Sequence, residues 1–380
     1  MILLLVGGRP DKLLPAVDHF TAASSLPVQI HVVTDVPFVP GDYPISYRTH
    51  LLEESKLPEA ALRMHRKFAK VTHGPGNIYM WKPLLHLLPS LSLVERAIVL
   101  DLDVFIPRGQ DLAALYREFD AFPSSAVIGV AKEQQPTYDD NPHIARGEGR
   151  NGGVQLLHLG RMRVAQSGSS TAAILAPPAA ATYASALEEC SSGACGDIGY
   201  LGDQTFYSAL ATRHPSLLHT LPCGWNRQLS FQFQLSSRDW YARHGGERRF
   251  NETHACHDPC RLVHANQPRF KLAVQRLHAL GNATRRASCD QCAAAAAEAV
   301  VGGRHEPGSA NLMRMGSVMT KCCCWASEVE TVVPLASQPQ LQSVQPKPRQ
   351  YVRAPPPIVP PPAQPHPHHR ILQTVLLLAV

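Results

Sequence analysis

The chain has 380 residues, of which 44% are hydrophobic, and it carries a formal net charge of +6 at pH 7. This length and this composition are typical of a globular protein with one large domain or two ordinary ones. The positive charge is concentrated after residue 281, where the chain has nine Lys and Arg residues but only five Asp and Glu residues. The rest of the chain has no basic stripe interleaved with aromatic residues, so the sequence does not predict a nucleic-acid surface.

Hydrophobic runs alternate with helical patterns along the first part of the chain. A strand at 2–6, a helix at 10–24 and a strand at 28–34 form a βαβ opening. A connection of this length predicts a parallel sheet with helices on both faces. Further strands are predicted at 97–106, 126–131 and 154–159, and further helices at 79–88, 111–119, 183–189 and 204–211.

Two segments have the composition of irregular chain. Residues 164–181 are rich in Ser, Ala, Gly and Pro and predict a low-complexity insertion. Residues 281–380 contain an alanine run and the stretch APPPIVPPPAQPHPHHR, a composition that favours disorder. We therefore predict one folded domain at 1–280, followed by a disordered Ala- and Pro-rich tail.

The cysteines and the two ends of the chain bear on its compartment. The CxxC pair at 289–292 lacks the second ligand pair of a zinc site, so disulfides are the expected use of the ten cysteines if the chain is secretory. Asn251 and Asn282 lie in glycosylation sequons, which fit that compartment. The apolar ends MILLLVGG and ILQTVLLLAV are too short to span a membrane. We expect membrane association only through an anchor that this chain does not show.

Two aspartates interrupt the predicted strand in AIVLDLDVFIP, residues 97–107. Residues two apart on a strand point to the same side, so Asp101 and Asp103 are expected to present both carboxylates together at its carboxyl end. This edge is where α/β sheets bind ligands, and a divalent cation is the simplest compensation for two neighbouring carboxylates. The alternative is a pair of aspartates that cap a turn. The apolar run before them favours the metal, and Mg²⁺ or Mn²⁺ held in this way suits a substrate diphosphate.

Five blocks of sequence resemble, in this order, the successive motifs of family 8 glycosyltransferases: VLDLDVFI, RNGGVQLLHLGRMR, LGDQTFYSAL, LPCGWNRQLS and LVHANQPRFK. Within the family, the likeness is greatest to the xylosyltransferase domain of the LARGE proteins and to the glucoside xylosyltransferases. The resemblance covers roughly residues 1–280. It implies a GT-A fold, which is a Rossmann-like single mixed sheet flanked by helices, and a retaining transfer from a nucleotide-sugar.

The resemblance also implies a metal site. Asp101 and Asp103 match the family's metal-binding Asp-x-Asp motif, and Asp101 is also expected to reach the ribose of a UDP-sugar. His264 matches the late histidine that completes this site. Mn²⁺ accepts an imidazole alongside oxygen ligands, so Mn²⁺ or Mg²⁺ is the implied cofactor.

Basic residues are implied for the donor phosphates. Lys82 matches a basic residue suited to donor binding and charge neutralisation, and the alternative is an exposed surface lysine. Arg269 and Lys271 follow at about the spacing of the family's phosphate-binding lysine, whose own position is held here by Phe270.

Two motifs match the donor-sugar pocket. Asn151, Gly152 and Gly153 match the family's Asn-Ser-Gly, with glycine in place of serine at 152. Asp203 and Gln204 match the Asp-Gln pair at the reactive face of the sugar. Because Gln204 is a poor nucleophile, we favour same-face attack, with Asp203 orienting sugar hydroxyls, over a covalent intermediate.

The nucleotide base is expected at the ends of the first two strands, at Val6, Gly7, Thr34 and Asp35. The block at 223–226 is expected to shape the acceptor side and the core.

The function expected from these residues is the metal-dependent, retaining transfer of a sugar, with xylose favoured, from a UDP-sugar to a glycan acceptor in the Golgi lumen. The alternative is a catalytically silent relative that binds nucleotide or glycan as an interaction module. The insertion and the glycine at 152 favour this alternative, whereas the full set of matched polar residues argues against it. A metal-dependent phosphohydrolase is disfavoured because such sites supply more ligands in tighter motifs.

Overall fold

The computed structural model describes residues 1–7, 10–36, 47–69, 77–107, 109–139, 141–163, 178–196, 201–228 and 256–265. The chain divides into two units, 1–328 and 329–380, and every described residue lies in the first. The predicted boundary at residue 280, the disordered tail and most of the insertion lie outside the described residues.

A seven-stranded sheet forms the centre of the described structure. Its strands in chain order are β1 (Ile2–Val6), β2 (Gln29–Thr34), β3 (Tyr47–Leu51), β4 (Ala97–Leu100), β6 (Ile128–Lys132), β7 (Arg150–Leu157) and β8 (Leu218–Leu221). Their spatial order is β3-β2-β1-β4-β7-β6-β8. All neighbours are parallel except that β7 runs antiparallel to β4 and to β6. The mixed sheet of the predicted GT-A fold is confirmed, and the expectation of a parallel sheet is wrong for β7.

Helices cover both faces of this sheet. The α-helices of the described residues are α1 (Pro10–Ala22), α2 (Glu59–Ala69), α3 (Leu112–Arg117), α4 (Leu159–Arg163), α5 (Pro178–Ser191) and α6 (Asp203–Arg213). Alternate side chains of β1 enter two separate hydrophobic clusters, which contain α1 on one face and α2, α5 and α6 on the other. No helix in this part of the chain has the length and apolar character needed to cross a membrane.

Several predicted elements differ from those observed. The predicted helix at 79–88 is a 3₁₀-helix over Asn77–Leu87, because Pro83 inside it lacks the amide that an α-helix needs. The predicted strand at 154–159 begins at Arg150. Residues 178–181 of the predicted insertion form the first turn of α5, which begins at Pro178, a position that favours proline.

The predicted strand at 97–106 is also two strands. β4 ends at Leu100, and a tight turn, in which the Val104 amide donates to the Asp101 carbonyl at 3.1 Å, separates it from β5 (Val104–Phe105). Asp101 and Asp103 therefore lie in a turn, and strand alternation does not align them.

A second sheet has three strands of two residues each, in the order β5, β10 (Val263–His264) and β9 (Arg227–Gln228). β10 runs antiparallel to β5 and parallel to β9. Disulfides join Cys190 to Cys195 and Cys223 to Cys256. This small sheet brings a late segment of the domain beside the turn at 101–103.

Two histidines are buried as neutral groups in the core. His31 on β2 lies with its Nδ1 2.8 Å from Nε2 of His50, and burial, followed by the charges of His50 and Arg48, lowers the pKa of His31 to about 4. Burial and, next, the Arg163 guanidinium lower the pKa of His86 to about 3. Both groups bind a proton more readily in the unfolded chain than in the folded one.

We expect the folded chain to lose stability as the pH falls from 7 to 5. Below the unfolded pKa of about 6.5 the unfolded state gains protons that buried His31 and His86 do not, which costs about 2 kcal/mol for each histidine by pH 5. Urea unfolding of the wild-type protein and of His86→Leu at both pH values measures this loss, and the variant should lose about 2 kcal/mol less than the wild type. His143→Leu, at an exposed histidine, is the control. An identical pH dependence in all three proteins would contradict the assignment.

Candidate functional site

Three side chains converge at the carboxyl edge of β4. One ligand atom each from Asp101, Asp103 and His264 lies within 4.8 Å of the other two. The Nε2 atom of His264 is 3.4 Å from Oδ1 of Asp103 and 4.0 Å from Oδ2 of Asp101. The arrangement depends on the small sheet, which pairs His264 with Val104 and lets the Ala265 amide donate to the Asp103 carbonyl at 2.8 Å.

The His264 ring is held with one nitrogen facing the two carboxylates. Its Nδ1 lies 3.1 Å from Oδ1 of Asn226, and Nδ2 of Asn226 donates to Oδ1 of Asn151 at 2.8 Å. The Asn226 oxygen therefore faces the ring and accepts from Nδ1, which leaves Nε2 directed toward Asp101 and Asp103. Gly153 lies under the ring, and a Cβ atom at that position would overlap it.

This donor set fits a divalent metal ion. Two carboxylates and one neutral imidazole are ligands that Mn²⁺ accepts, and the carboxylates alone also suit Mg²⁺. The hydrogen bond to the far nitrogen of the histidine is the usual way in which proteins orient a metal-binding imidazole.

Lys82 lies beside this cluster, with its side chain only 1% exposed. Its Nζ atom is 2.6 Å from Oδ1 of Asp101, 3.3 Å from Oδ2 of Asp203 and 3.2 Å from the Gly152 carbonyl, to which it donates. Burial by itself lowers the pKa of Lys82, but the two carboxylates outweigh burial and raise it above the ordinary lysine value. Lys82 is therefore a charged, buried bridge, and the alternative of an exposed surface lysine is wrong.

Asp203 is the first residue of α6 and lies on the other side of Lys82. Nε2 of Gln155 donates to its Oδ2 at 2.8 Å, and the Tyr207 hydroxyl donates to Oε1 of Gln155 at 2.8 Å. Burial raises the pKa of Asp203 to about 6 even though the Lys82 charge opposes this shift. A Cβ atom at Gly152 would lie 2.8 Å from Oδ2 of Asp203, so glycine at 152 leaves the room that this carboxylate occupies.

A carboxylate that the sequence analysis missed, Glu133, completes the site. It directly follows β6, and its Oε2 accepts from Nδ2 of Asn151 at 3.0 Å and from Nε2 of Gln204 at 2.5 Å. Nδ2 of Asn151 also donates to Oε1 of Gln204 at 3.2 Å. Glu133 therefore fixes which atom of each amide faces the site. The signal was a carboxylate directly after a buried strand, as at Asp101.

The remaining predicted residues are distributed around this edge. Val6 ends β1 and Gly7 follows it, and a Cβ atom at Gly7 would be 3.7 Å from Cδ1 of Leu102 in the Asp101–Asp103 turn. Thr34 and Asp35 lie at the end of the parallel neighbour β2, at the same edge of the sheet. Arg269 and Lys271 lie outside the described residues.

In the predicted acceptor block, Trp225 is a core residue whose Nε1 donates to Oε1 of Glu118 at 2.8 Å. Asn226 of the same block acts inside the site, where it contacts His264 and Asn151. The block was predicted to shape the acceptor side and the core, and the contact of Asn226 with His264 was not predicted.

No protein-family model matches the chain. It is 32% identical over 214 residues to mouse xyloside xylosyltransferase 1, covering 51% of this chain and 48% of that protein. It is 31% identical over 202 residues to human xylosyl- and glucuronyltransferase LARGE2, covering 50% of this chain and 23% of that protein. The chain thus spans about half the length of the first relative and about a quarter of the second.

Among solved structures, the apo form of mouse xyloside xylosyltransferase 1 aligns with a TM-score of 0.46 at 22% identity, covering 70% of this chain and 96% of that one. The curated relatives are glycosyltransferases of the group that the five sequence blocks predict. The resemblance to family 8 glycosyltransferases, and within them to xylosyltransferases, is therefore confirmed.

Proposed function

We propose that this chain is a metal-dependent, retaining glycosyltransferase that moves a sugar from a UDP-sugar to a glycan acceptor. The observation that carries the proposal is the convergence, at one edge of the sheet, of a metal-ligand cluster and a buried amide and carboxylate network joined by Lys82. The favoured sugar is xylose, because the two relatives named above are xylosyltransferases by name. The proposed compartment is the Golgi lumen, and the proposed catalytic domain is 1–280 with an appended tail.

On the diphosphate side, Asp101, Asp103 and His264 would hold Mn²⁺ or Mg²⁺, which when bound supplies a Lewis acid for the leaving diphosphate. Asp101 also reaches the ribose in this proposal. Lys82 keeps a fixed positive charge against Asp101 and limits the repulsion between the neighbouring carboxylates.

The rest of the UDP moiety is assigned to residues around that edge. Arg269 and Lys271 are proposed to bind the phosphates. Val6, Gly7, Thr34 and Asp35 are proposed to bind the nucleotide base and ribose at the ends of β1 and β2.

On the sugar side, Asn151, Gly152 and Gly153 line the donor pocket, and Asp203 orients sugar hydroxyls. Gln204 lies at the reactive face, where its amide is held by Glu133 and Asn151. An amide held in this way is a hydrogen-bonding group and a poor nucleophile. The arrangement therefore supports same-face attack, in which the leaving diphosphate accepts the acceptor's proton, over a covalent intermediate.

The first test is UDP release by the full chain with Mn²⁺ and a panel of UDP-xylose, UDP-glucose, UDP-galactose and UDP-N-acetylglucosamine. We expect release from one donor, abolished by EDTA and lowered at least about 100-fold in Asp103→Asn, since a neutral amide binds the metal poorly. Asp120→Asn, whose carboxylate is 75% exposed, is the matched control and should keep wild-type activity. Full activity in a folded Asp103→Asn protein would refute the metal site. Tight UDP binding without release from any donor would favour the silent relative.

A second prediction concerns Glu133. Glu133→Gln keeps the size of the side chain but replaces one acceptor oxygen with a donor, so the amides of Asn151 and Gln204 lose their common partner. We expect kcat to fall about 10- to 100-fold with little change in UDP affinity, because the diphosphate side is untouched. Glu54→Gln, at a carboxylate that is 70% exposed, is the control. A variant that changes KM for the donor but leaves kcat intact would contradict this role.

A third prediction separates the enzyme from the silent relative at Gly152. Gly152→Ser introduces a Cβ atom 2.8 Å from Oδ2 of Asp203 and pushes that carboxylate away from Lys82 and Gln155. For an active enzyme we expect UDP release to fall about 10-fold or more. Gly129→Ala, whose Cβ atom would lie 2.7 Å from the Phe122 ring in the core and meets no site residue, controls for crowding alone. If serine instead raised the activity, the glycine at 152 would itself lower the activity of the wild type, as expected for a silent relative.

A further inference from the structure

The disulfide between Cys223 and Cys256 joins the two segments that build the histidine side of the metal site. Cys223 begins the 3₁₀-helix Cys223–Asn226, which Pro222 joins to the end of β8. Cys256 begins the described segment 256–265, which carries β10. The two cysteines are 33 residues apart in sequence, so this bond is a long-range link between segments.

Polar contacts continue from this disulfide toward β10. The Arg227 guanidinium donates to the carbonyls of Cys256 and Asp258, each at 2.6 Å. The Gly224 carbonyl accepts from the backbone amide of Leu262 at 3.0 Å. The two segments are therefore joined by polar contacts at several points as well as by the covalent bond.

At the far end of this alignment lies the contact that orients the metal-binding ring. Asn226 ends the 3₁₀-helix that Cys223 begins, and its Oδ1 lies 3.1 Å from Nδ1 of His264. His264 itself sits in a strand of two residues, paired with two strands that are equally short. Such short pairings are weak by themselves, so the position of the ring relies on other links between the segments.

We propose that Cys223 and Cys256 are positioning residues of the metal site, whose disulfide holds His264 against Asn226 and across from Asp101 and Asp103. This inference rests on the proposed function only in assigning Mn²⁺ to that cluster. Without the bond, the 256–265 segment samples more conformations, and the apparent metal affinity falls with the fraction of molecules that present Nε2 in place.

The experiment measures Mn²⁺ affinity by calorimetry on the full chain, without donor, for the wild type, Cys223→Ala/Cys256→Ala and Cys190→Ala/Cys195→Ala. The second double variant is the matched control, because it removes a disulfide that closes a turn of sequence separation 5 at the end of α5. We expect affinity about 10- to 100-fold weaker in the first variant, the loss typical when a metal ligand loses its orienting partners, and a change below about 2-fold in the control. Circular dichroism verifies that each variant is folded.

A second measurement keeps the proposal testable if the first variant does not fold. The wild type is treated with increasing dithiothreitol, which gives two electrons and two protons to the disulfide, producing two thiols and its own cyclic disulfide. Mass spectrometry of alkylated cysteines reports which bond has opened at each step. Affinity that falls in step with opening of Cys223–Cys256 supports the proposal. Affinity that is constant, or that follows Cys190–Cys195 alone, overturns it.

The outcomes also separate this inference from the proposed function. A folded Cys223→Ala/Cys256→Ala protein with wild-type Mn²⁺ affinity, when Asp103→Asn has lost that affinity, overturns the positioning role and leaves the metal site intact. A wild-type protein that does not bind Mn²⁺ overturns both.

Discussion

The buried ammonium of Lys82 is the interaction on which the rest of the site depends. A lysine without water is costly, and it stays charged here because Asp101 and Asp203 lie on either side of it at 2.6 and 3.3 Å. The Lys82 charge also offsets the repulsion between Asp101 and Asp203, which come from separate elements and lie close together. Removal of the Lys82 charge would leave both carboxylates uncompensated, so in the proposed function this one lysine couples the diphosphate side of the site to the sugar side.

The direction of one strand explains how the sugar side reaches this lysine. β7 runs antiparallel to β4 and β6, so its first residues lie at the edge where those two strands end. The start of β7 therefore meets Asp101 and Glu133, which follow the carboxyl ends of β4 and β6. In an all-parallel sheet the start of β7 would lie at the other edge, and these residues would be separated by the length of the strand.

Much of the fold was predictable from local patterns, because the strands and helices follow hydrophobic periodicity. The mixed sheet, the βαβ opening and the helices on both faces are confirmed. The predictions that were wrong concern features that hydrophobic periodicity does not encode. The antiparallel β7 and the turn at 101–103 depend on tertiary pairing, since apolar runs before and after the aspartates look like one continuous strand.

The same distinction applies to the candidate site. Asp101, Asp103, His264, Lys82 and the motifs at 151–153 and 203–204 were singled out by type and order along the chain, and the structure places them together. Glu133 belongs to no block that the sequence analysis used, and its importance lies in partners 18 and 71 residues away. A carboxylate with two amide partners is visible only once the strands that carry them are adjacent.

The two halves of the site also differ in how firmly the fold holds them. The sugar side lies on β7, β6 and α6, which pack in the large sheet and its main hydrophobic cluster. The metal side needs His264, which lies in the last described segment, 256–265. Its strand β10 has two residues and pairs only with strands of two residues among those described. Contacts among Lys82, Asp101 and Asp203 do not involve this segment, whereas the Ala265 amide of the segment donates to the Asp103 carbonyl at 2.8 Å. In the proposed function, the large sheet therefore preorganises the sugar pocket, and the metal site becomes complete only when the 256–265 segment is held in position.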